Sequence, residues 1–270
     1  MTNHIFIKLL TTTLLSGVVV TSSVVAEIRQ QETFKLDIGT FLTERSTDFR
    51  IDSETLGRGT TISAEDDLGL RKSKSVIRAD MYIRMAENHR LNFSYYDLSR
   101  DKRRVLDKTI QYDDEVFSVN SEINSEFNLE IIKAGYAYSL IKDAQKEFGI
   151  SAGLFVQRYA ISLELVANRS VRESASVTAP LPVIGVQGIW RLDPKWQLRG
   201  SVDIFRIDYE DYKGRLTDLI LAIEHNTFKN VGFGLGYNST RFKLEADASN
   251  FNGEVNIDYG GLMLFTQLSF

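Results

Sequence analysis

The side chains able to do chemistry are few in kind and unevenly placed. The 270 residues contain no cysteine and three histidines, which excludes disulfides, thiolate metal sites and cysteine nucleophiles. Beyond an N-terminal leader only His89 and His225 remain. A Ser-His-acid triad needs its base within hydrogen-bond reach of the nucleophile, yet His89 falls in a short polar turn and His225 is followed by Asn226-Thr227. Carboxylates are more plentiful. Asp97, Asp101 and Asp113-Asp114-Glu115 are candidates for an all-carboxylate site, although acidic loop residues ordinarily repel one another and stay solvated. Glu65-Asp66-Asp67 stands close to Arg71-Lys72, which reads as a solvated loop with local pairing or, alternatively, a cation or phosphate site. Nothing in the sequence calls for a metal or a cofactor. Gly232-x-Gly234-x-Gly236 has period two and no helix after it, so it is not a dinucleotide loop; its glycines are expected to make room for bulky neighbours.

The largest set of charges alternates with apolar residues. Ile77, Ala79, Met81, Ile83 and Met85 share one parity, and Arg78, Asp80, Tyr82 and Arg84 the other. Successive strand residues point to opposite faces, so one face is greasy and the other ionic. Trp196 to Ile204, Phe34 to Leu42, Phe148 to Val156 and Val231 to Tyr237 repeat the pattern. Three features favour a membrane-spanning barrel over a soluble sandwich. The segments reach the roughly 9 to 11 residues of a tilted spanning strand. Connections alternate between tight polar turns (87–89, 142–147, 192–195, 226–230) and long charged loops (53–73, 99–125, 167–180), as in outer-membrane barrels. Aromatic residues, among them Trp190, Trp196, Tyr138, Phe148, Phe228 and Phe270, gather beside the tight turns, as an interfacial belt would.

The elements that must position the charges are then strands over 34–52, 74–86, 89–104, 126–141, 147–165, 181–192, 195–209, 212–226, 230–246 and 254–270. The expected fold is all-β: a closed antiparallel up-and-down transmembrane β-barrel of about 10 strands, with 8 or 12 as alternatives. Residues 1–26, with Lys8, an apolar stretch too short to span a bilayer and small residues before Glu27, read as a signal peptide; residues 27–270 form the barrel domain. Val255, Ile257 and Tyr259 have the opposite parity from Leu262 and Leu264, which predicts a β-bulge at Gly260-Gly261. Ile161, Leu163 and Leu165 likewise reverse the parity of Val156, so strand five is expected to project above the bilayer with a bulge. The charged face supplies a lumen set: Lys35, Asp37, Arg78, Asp80, Arg84, Arg90, Lys133, Arg191, Arg199, Asp203, Asp218 and Glu224. In so narrow a barrel side chains fill the interior, and mixed charges persist there only when paired.

The chain ends at Phe270 with Leu262, Leu264 and Leu268 on the same parity. This resembles the C-terminal strand of Gram-negative outer-membrane β-barrel proteins, and implies that Phe270 and Leu268 form an assembly signal read by the barrel-assembly machinery. Glu65 to Leu70, Leu91 to Ser99, Ser174 to Pro182 and Gly232 to Asn238 together look like a proteobacterial family of outer-membrane barrels. That resemblance implies fold and location, the cell outer membrane, and brings no functional residues with it. Barrel enzymes of this size class, the omptin-like proteases and the lipid A deacylases and phospholipases, use histidines at the outer rim or near the outer leaflet, where neither His89 nor His225 is expected. The formal charge of −4 gives no nucleic-acid footprint. The expectation is a non-enzymatic structural or surface-interaction barrel in contact with outer-membrane lipid and lipopolysaccharide, its loop ligand unassigned. The alternative is a narrow solute- or ion-selective channel, and behind that a lipid-modifying or proteolytic barrel enzyme.

Overall fold

The computed structural model describes residues 32–209, 212–248 and 251–270; the expected leader lies outside them. Ten long strands follow in order: β1 (Phe34–Ile51), β2 (Ser73–Ala86), β3 (His89–Asp97, continued as Arg100–Val105), β4 (Glu122–Lys142), β5 (Lys146–Leu165), β6 (Arg172–Arg191), β7 (Trp196–Tyr209), β8 (Tyr212–His225), β9 (Val231–Ala248) and β10 (Phe251–Ser269). Each pairs antiparallel with its successor, and β10 pairs with β1 from Lys35↔Ser269 to Ile51↔Gly253, closing the barrel. The strand count agrees with the expectation; two beginnings move. β4 starts at Glu122 and β6 at Arg172, so most of the loop expected over 167–180 is strand.

The periodicity of β5 explains how the barrel is built. Its odd-numbered residues face inward along the whole strand. From Lys146 to Val156 the outward positions are Phe148, Ile150, Ala152, Leu154 and Val156, and the inward ones begin Glu147, Gly149, Ser151 and Gly153. Beyond that the chemistry inverts: Arg158, Ala160, Ser162 and Glu164 face out, while Phe155, Tyr159, Ile161 and Leu163 are buried inside. The pairing of β5 with β4 and β6 runs through this switch without a break. The parity reversal is therefore not the expected bulge. The strand keeps its alternation while its outer face changes, from apolar at one end to polar at the other. β10 does the same: its pairing with β1 and β9 is continuous across Gly260-Gly261, and no bulge is present there. Register shifts occur instead at Arg84/Ala86 and Ser139/Ile141, beside the tight turns.

Two short elements belong to the long-loop end. Ile62–Ser63 pairs with Phe49 and Asp48 of β1, completing the wall beyond the end of β2. Ile110–Tyr112 and Glu115–Phe117 form a hairpin turned at Asp113, whose φ is 54°. The side chains of Ile110, Tyr112 and Phe117 are buried.

Candidate functional site

The inverted strands divide the interior into two storeys. At the turn end the inner wall is ionic, and its charges bond across the lumen. Lys35 on β1 donates to Glu224 on β8 at 2.6 Å, and Arg199 on β7 binds Glu224 at 2.7 Å and Asp37 on β1 at 2.6 Å. Arg78 on β2 holds Asp80 through two hydrogen bonds, at 2.8 and 2.9 Å, and donates to Asn238 on β9 at 2.9 Å. Asn238 and Thr240 donate to Asp218 on β8, which also accepts from Lys133 of β4 at 3.0 Å; Lys133 binds Asp203 of β7 as well. Nearest the turns, Arg84 donates to Glu147 at 2.8 Å, with Arg90 3.8 Å away. Arg191, half-buried at the turn end of β6, stands apart from these ion pairs. Asn92 of β3 reaches Gln187 of β6 at 3.1 Å.

Most of these charges are buried, Asp80, Lys133 and Arg199 being half-buried, and a buried charge without its partner is strongly destabilising. The pairs tie strands on opposite sides of the barrel, so they also occupy its axis. Among these side chains lies a cavity of about 90 Å³ bordered by Asp37, Asp80, Arg90, Asn92, Lys133 and Arg199, enough for a few water molecules. The glycines of β9 fit the same crowding. A Cβ added at Gly234 would lie 2.2 Å from the Phe265 ring.

Aromatic rings floor the second storey. Arg78 lies under the Tyr96 ring at 4.5 Å and Lys133 under Phe155 at 5.7 Å, geometries in which a cation is attracted by the ring face. Above them the interior is an apolar core. Tyr159 of β5 stacks on Phe242 of β9 at 5.6 Å, the Tyr96 and Tyr259 hydroxyls meet at 2.9 Å, and Phe49 meets the edge of Tyr112 at 6.1 Å. Leu68, Leu70, Leu163, Leu216 and Val255 fill the rest. Periodicity misread this storey because the apolar residues on the inner parity looked like a register shift.

The acidic and basic runs of the first loop fall into separate surroundings. Glu65 turns inward, where Arg100 binds it and the Thr47 amide donates to it at 2.9 Å. Arg100 also donates to the Arg71 carbonyl at 3.1 Å and to Thr47 Oγ at 2.8 Å, riveting the loop to the wall. Asp66 pairs with Lys72 at 3.1 Å and Asp67 with Lys108 at 2.7 Å. Among the described residues no group of three His, Asp or Glu side chains is placed to hold a metal ion. At the hairpin tip, partial burial and then the carboxylates of Asp114 and Glu54 push the Asp113 carboxyl above its ordinary range, and burial with Asp113, Glu115 and Asp114 does the same to Glu173 on β6. The hairpin thus reaches from the β1 side, where it touches Phe49, to β6 across the mouth. Both histidines are at the turn end: His89 Nδ1 is 2.5 Å from the Tyr136 hydroxyl, and His225 lies against Trp196 at 4.6 Å. Phe270 and Leu268 point outward, Phe270 with 64% exposure, while the Phe270 carbonyl accepts from the Phe34 amide at 3.0 Å.

Ten up-and-down strands closed first to last, an apolar outer band beside tight turns and a polar interior define the fold of the Gram-negative outer-membrane β-barrels. No protein-family profile matches the sequence, and a search of curated proteins finds no match. Among solved structures, the chain is similar to the outer membrane protease OmpT from Escherichia coli, with a TM-score of 0.58 and 11% identity, covering 88% of this chain and 96% of that one. It also matches OprG from Pseudomonas aeruginosa, with a TM-score of 0.38 and 10% identity over 90% of this chain and 99% of that one. Ail, the attachment invasion locus protein of Yersinia pestis, matches with a TM-score of 0.35 and 10% identity over 89% of this chain and all of the other.

Proposed function

We propose that the protein is an integral outer-membrane barrel with a structural or surface-interaction role, non-enzymatic, with its tight turns in the periplasm and its loop end outside the cell. The observation that carries this reading is the double closure of the interior, by cross-lumen ion pairs in one storey and an apolar core under a hairpin in the other. A pore would need a continuous wet path, whereas the ion pairs cross the lumen beside a cavity of about 90 Å³. The apolar storey stands beyond the outer band, so it serves to hold the loop end rigid as a recognition platform. The non-enzymatic reading rests on the histidines being engaged at the turn end and on loop carboxylates being engaged locally, Asp114 with Ser53 at 2.6 Å and Asp97 with Ser99. Outward-facing Leu268 and Phe270 are the surface offered to the assembly machinery. Planar-bilayer recordings of the pure protein test the reading: no steady conductance is expected, and steady, salt-dependent conductance would replace it with a small channel. Incubation with lipopolysaccharide and phospholipid, followed by mass spectrometry of the acyl chains, is expected to return them unaltered; turnover lost on replacing a loop carboxylate would make the protein an enzyme.

A further inference from the structure

The barrel wall is hydrogen-bonded along most of its circumference, and the β6–β7 seam is one of the places where a ladder stops while both strands continue. β6 pairs with β5 from Arg172↔Glu164 to Trp190↔Lys146, yet with β7 only from Ile184↔Ile204 to Arg191↔Gln197. Above Ile184 and Ile204 both strands continue, β7 to Tyr209, with no ladder between them. The cause is in the sequence. Pro180 and Pro182 have no N–H, and proline is tolerated in a sheet only where that nitrogen faces no acceptor. Because the ladder to β5 runs unbroken through both prolines, their nitrogens must face β7. Carrying the β6–β7 register upward would set them opposite Asp208 and Arg206, and those bonds cannot form.

The notch begins where the outer face changes from apolar to polar: Ile184 and Ile204 are exposed below it, Arg206 and Asp208 beside it. Within it Ile207, on the inward parity, keeps 38% exposure and Tyr209 63%. Beside it the outer face carries basic residues interleaved with the acidic Asp208, Glu245, Glu254 and Asp258. Arg206 stands directly opposite Arg215 on β8, Arg215 opposite Lys243 on β9, and Arg241 one row lower between Thr217 of β8 and Asp258 of β10. Like charges directly opposite on a sheet are destabilising. Lys243 is neutralised by Glu245 and Glu254 at 2.7 and 2.9 Å; Arg206, Arg215 and Arg241 are exposed and, among the described residues, make no ion pair.

We propose that this face binds a phosphorylated lipid of the outer leaflet, its phosphates on Arg206, Arg215 and Arg241 and an acyl chain against Pro180, Pro182, Ile204 and Ile207 in the notch. The occupant follows from charge and level: unpaired guanidiniums sit just above the apolar band, where a lipid phosphate lies, beside an apolar cleft open to the side. The inference rests on the membrane reading above and adds a ligand to it. The test is titration of fluorescent bisphosphorylated lipid A into the protein held in phosphatidylcholine nanodiscs, so that failure of the protein to enter nanodiscs counts against the membrane reading and failure to bind counts against this one. Saturable binding is expected. With about fivefold in affinity per arginine at a lipid surface, it should weaken on the order of thirtyfold in Arg206→Ala/Arg215→Ala. It should change less than twofold in Arg103→Ala, which removes an outward cation on the continuation of β3, away from the seam. Pro180→Val/Pro182→Val restores two donors, and is expected to close the seam and weaken binding with every arginine in place. Non-saturable binding, or equal affinity in the arginine variant, overturns the proposal; full affinity in the proline variant overturns the acyl-chain part of it.

Discussion

Below Tyr96 and Phe155 the inner wall is joined by ion pairs, as between Arg199, Glu224 and Lys35; above them it is joined by rings and aliphatic chains, as between Tyr159 and Phe242. The strands are the same strands, and the alternation is unbroken. What differs is the medium outside. Where the exterior is apolar, outward side chains need no core to hide in, and the inner parity is left for polar groups that must satisfy one another. Where the exterior is water, the inner parity must supply the hydrophobic core that any folded domain requires. One chain thus uses a membrane-protein rule and a soluble-protein rule on successive halves of each strand.

The comparison breaks most severely at Glu224. Glu224→Ala removes the carboxylate shared by Lys35 and Arg199 and leaves two buried cations short of a partner, at a cost of about 3–5 kcal/mol; urea unfolding in vesicles is expected to show the whole barrel weakened. Leu163→Ala, in the apolar storey, is expected to cost about 2–5 kcal/mol but to act locally. Hydrogen exchange should quicken at residues 45–51 and 110–117 and stay slow at 148–154, and equal acceleration of both would contradict the division. Gly234→Val should cost about 1–3 kcal/mol by overpacking against Phe265, read as a lowered unfolding midpoint. The smallest effect is at the hairpin tip. Because burial and its neighbours raise the Asp113 carboxyl, the folded tip holds its proton more tightly than the unfolded chain does; stability present below the ordinary carboxylate range is lost as pH rises through it. Asp113→Asn, which suits the positive φ, removes that loss. It should slow tip exchange at pH 7 and leave it unchanged at pH 3.

Much of the lower storey was legible in the sequence, because charged and apolar residues alternate there with period two, and Lys35, Asp37, Arg78, Lys133, Asp218 and Glu224 could be placed inside from parity alone. Their partners could not, since Arg199 meets Asp37 only when β7 and β1 face each other across a closed barrel. The upper storey was misread for a physical reason: a parity reversal has the same appearance whether the backbone slips by one residue or the solvent changes. Ser174 to Pro180 reads as loop from the sequence because Ser, Thr and Pro carry little strand signal, yet Pro180 and Pro182 are both compatible with β6 because their nitrogens face an open seam. Glu65 looks like one acid among three in the sequence; the approach of Arg100 from β3 distinguishes it from exposed Asp66 and half-buried Asp67.

The central claim, one strand alternation in two media, is tested most directly by spin labels, for which the absence of cysteine makes each engineered thiol unique. Single cysteines at Ile150 and Leu264 on the outer band, and at Ser162 and Asn256 on the same outward parity further along β5 and β10, would be labelled in protein reconstituted into vesicles. The account predicts that oxygen relaxes the first pair more than a water-soluble nickel chelate does, and that the chelate wins at the second pair. The same relaxer winning at all four positions would contradict it.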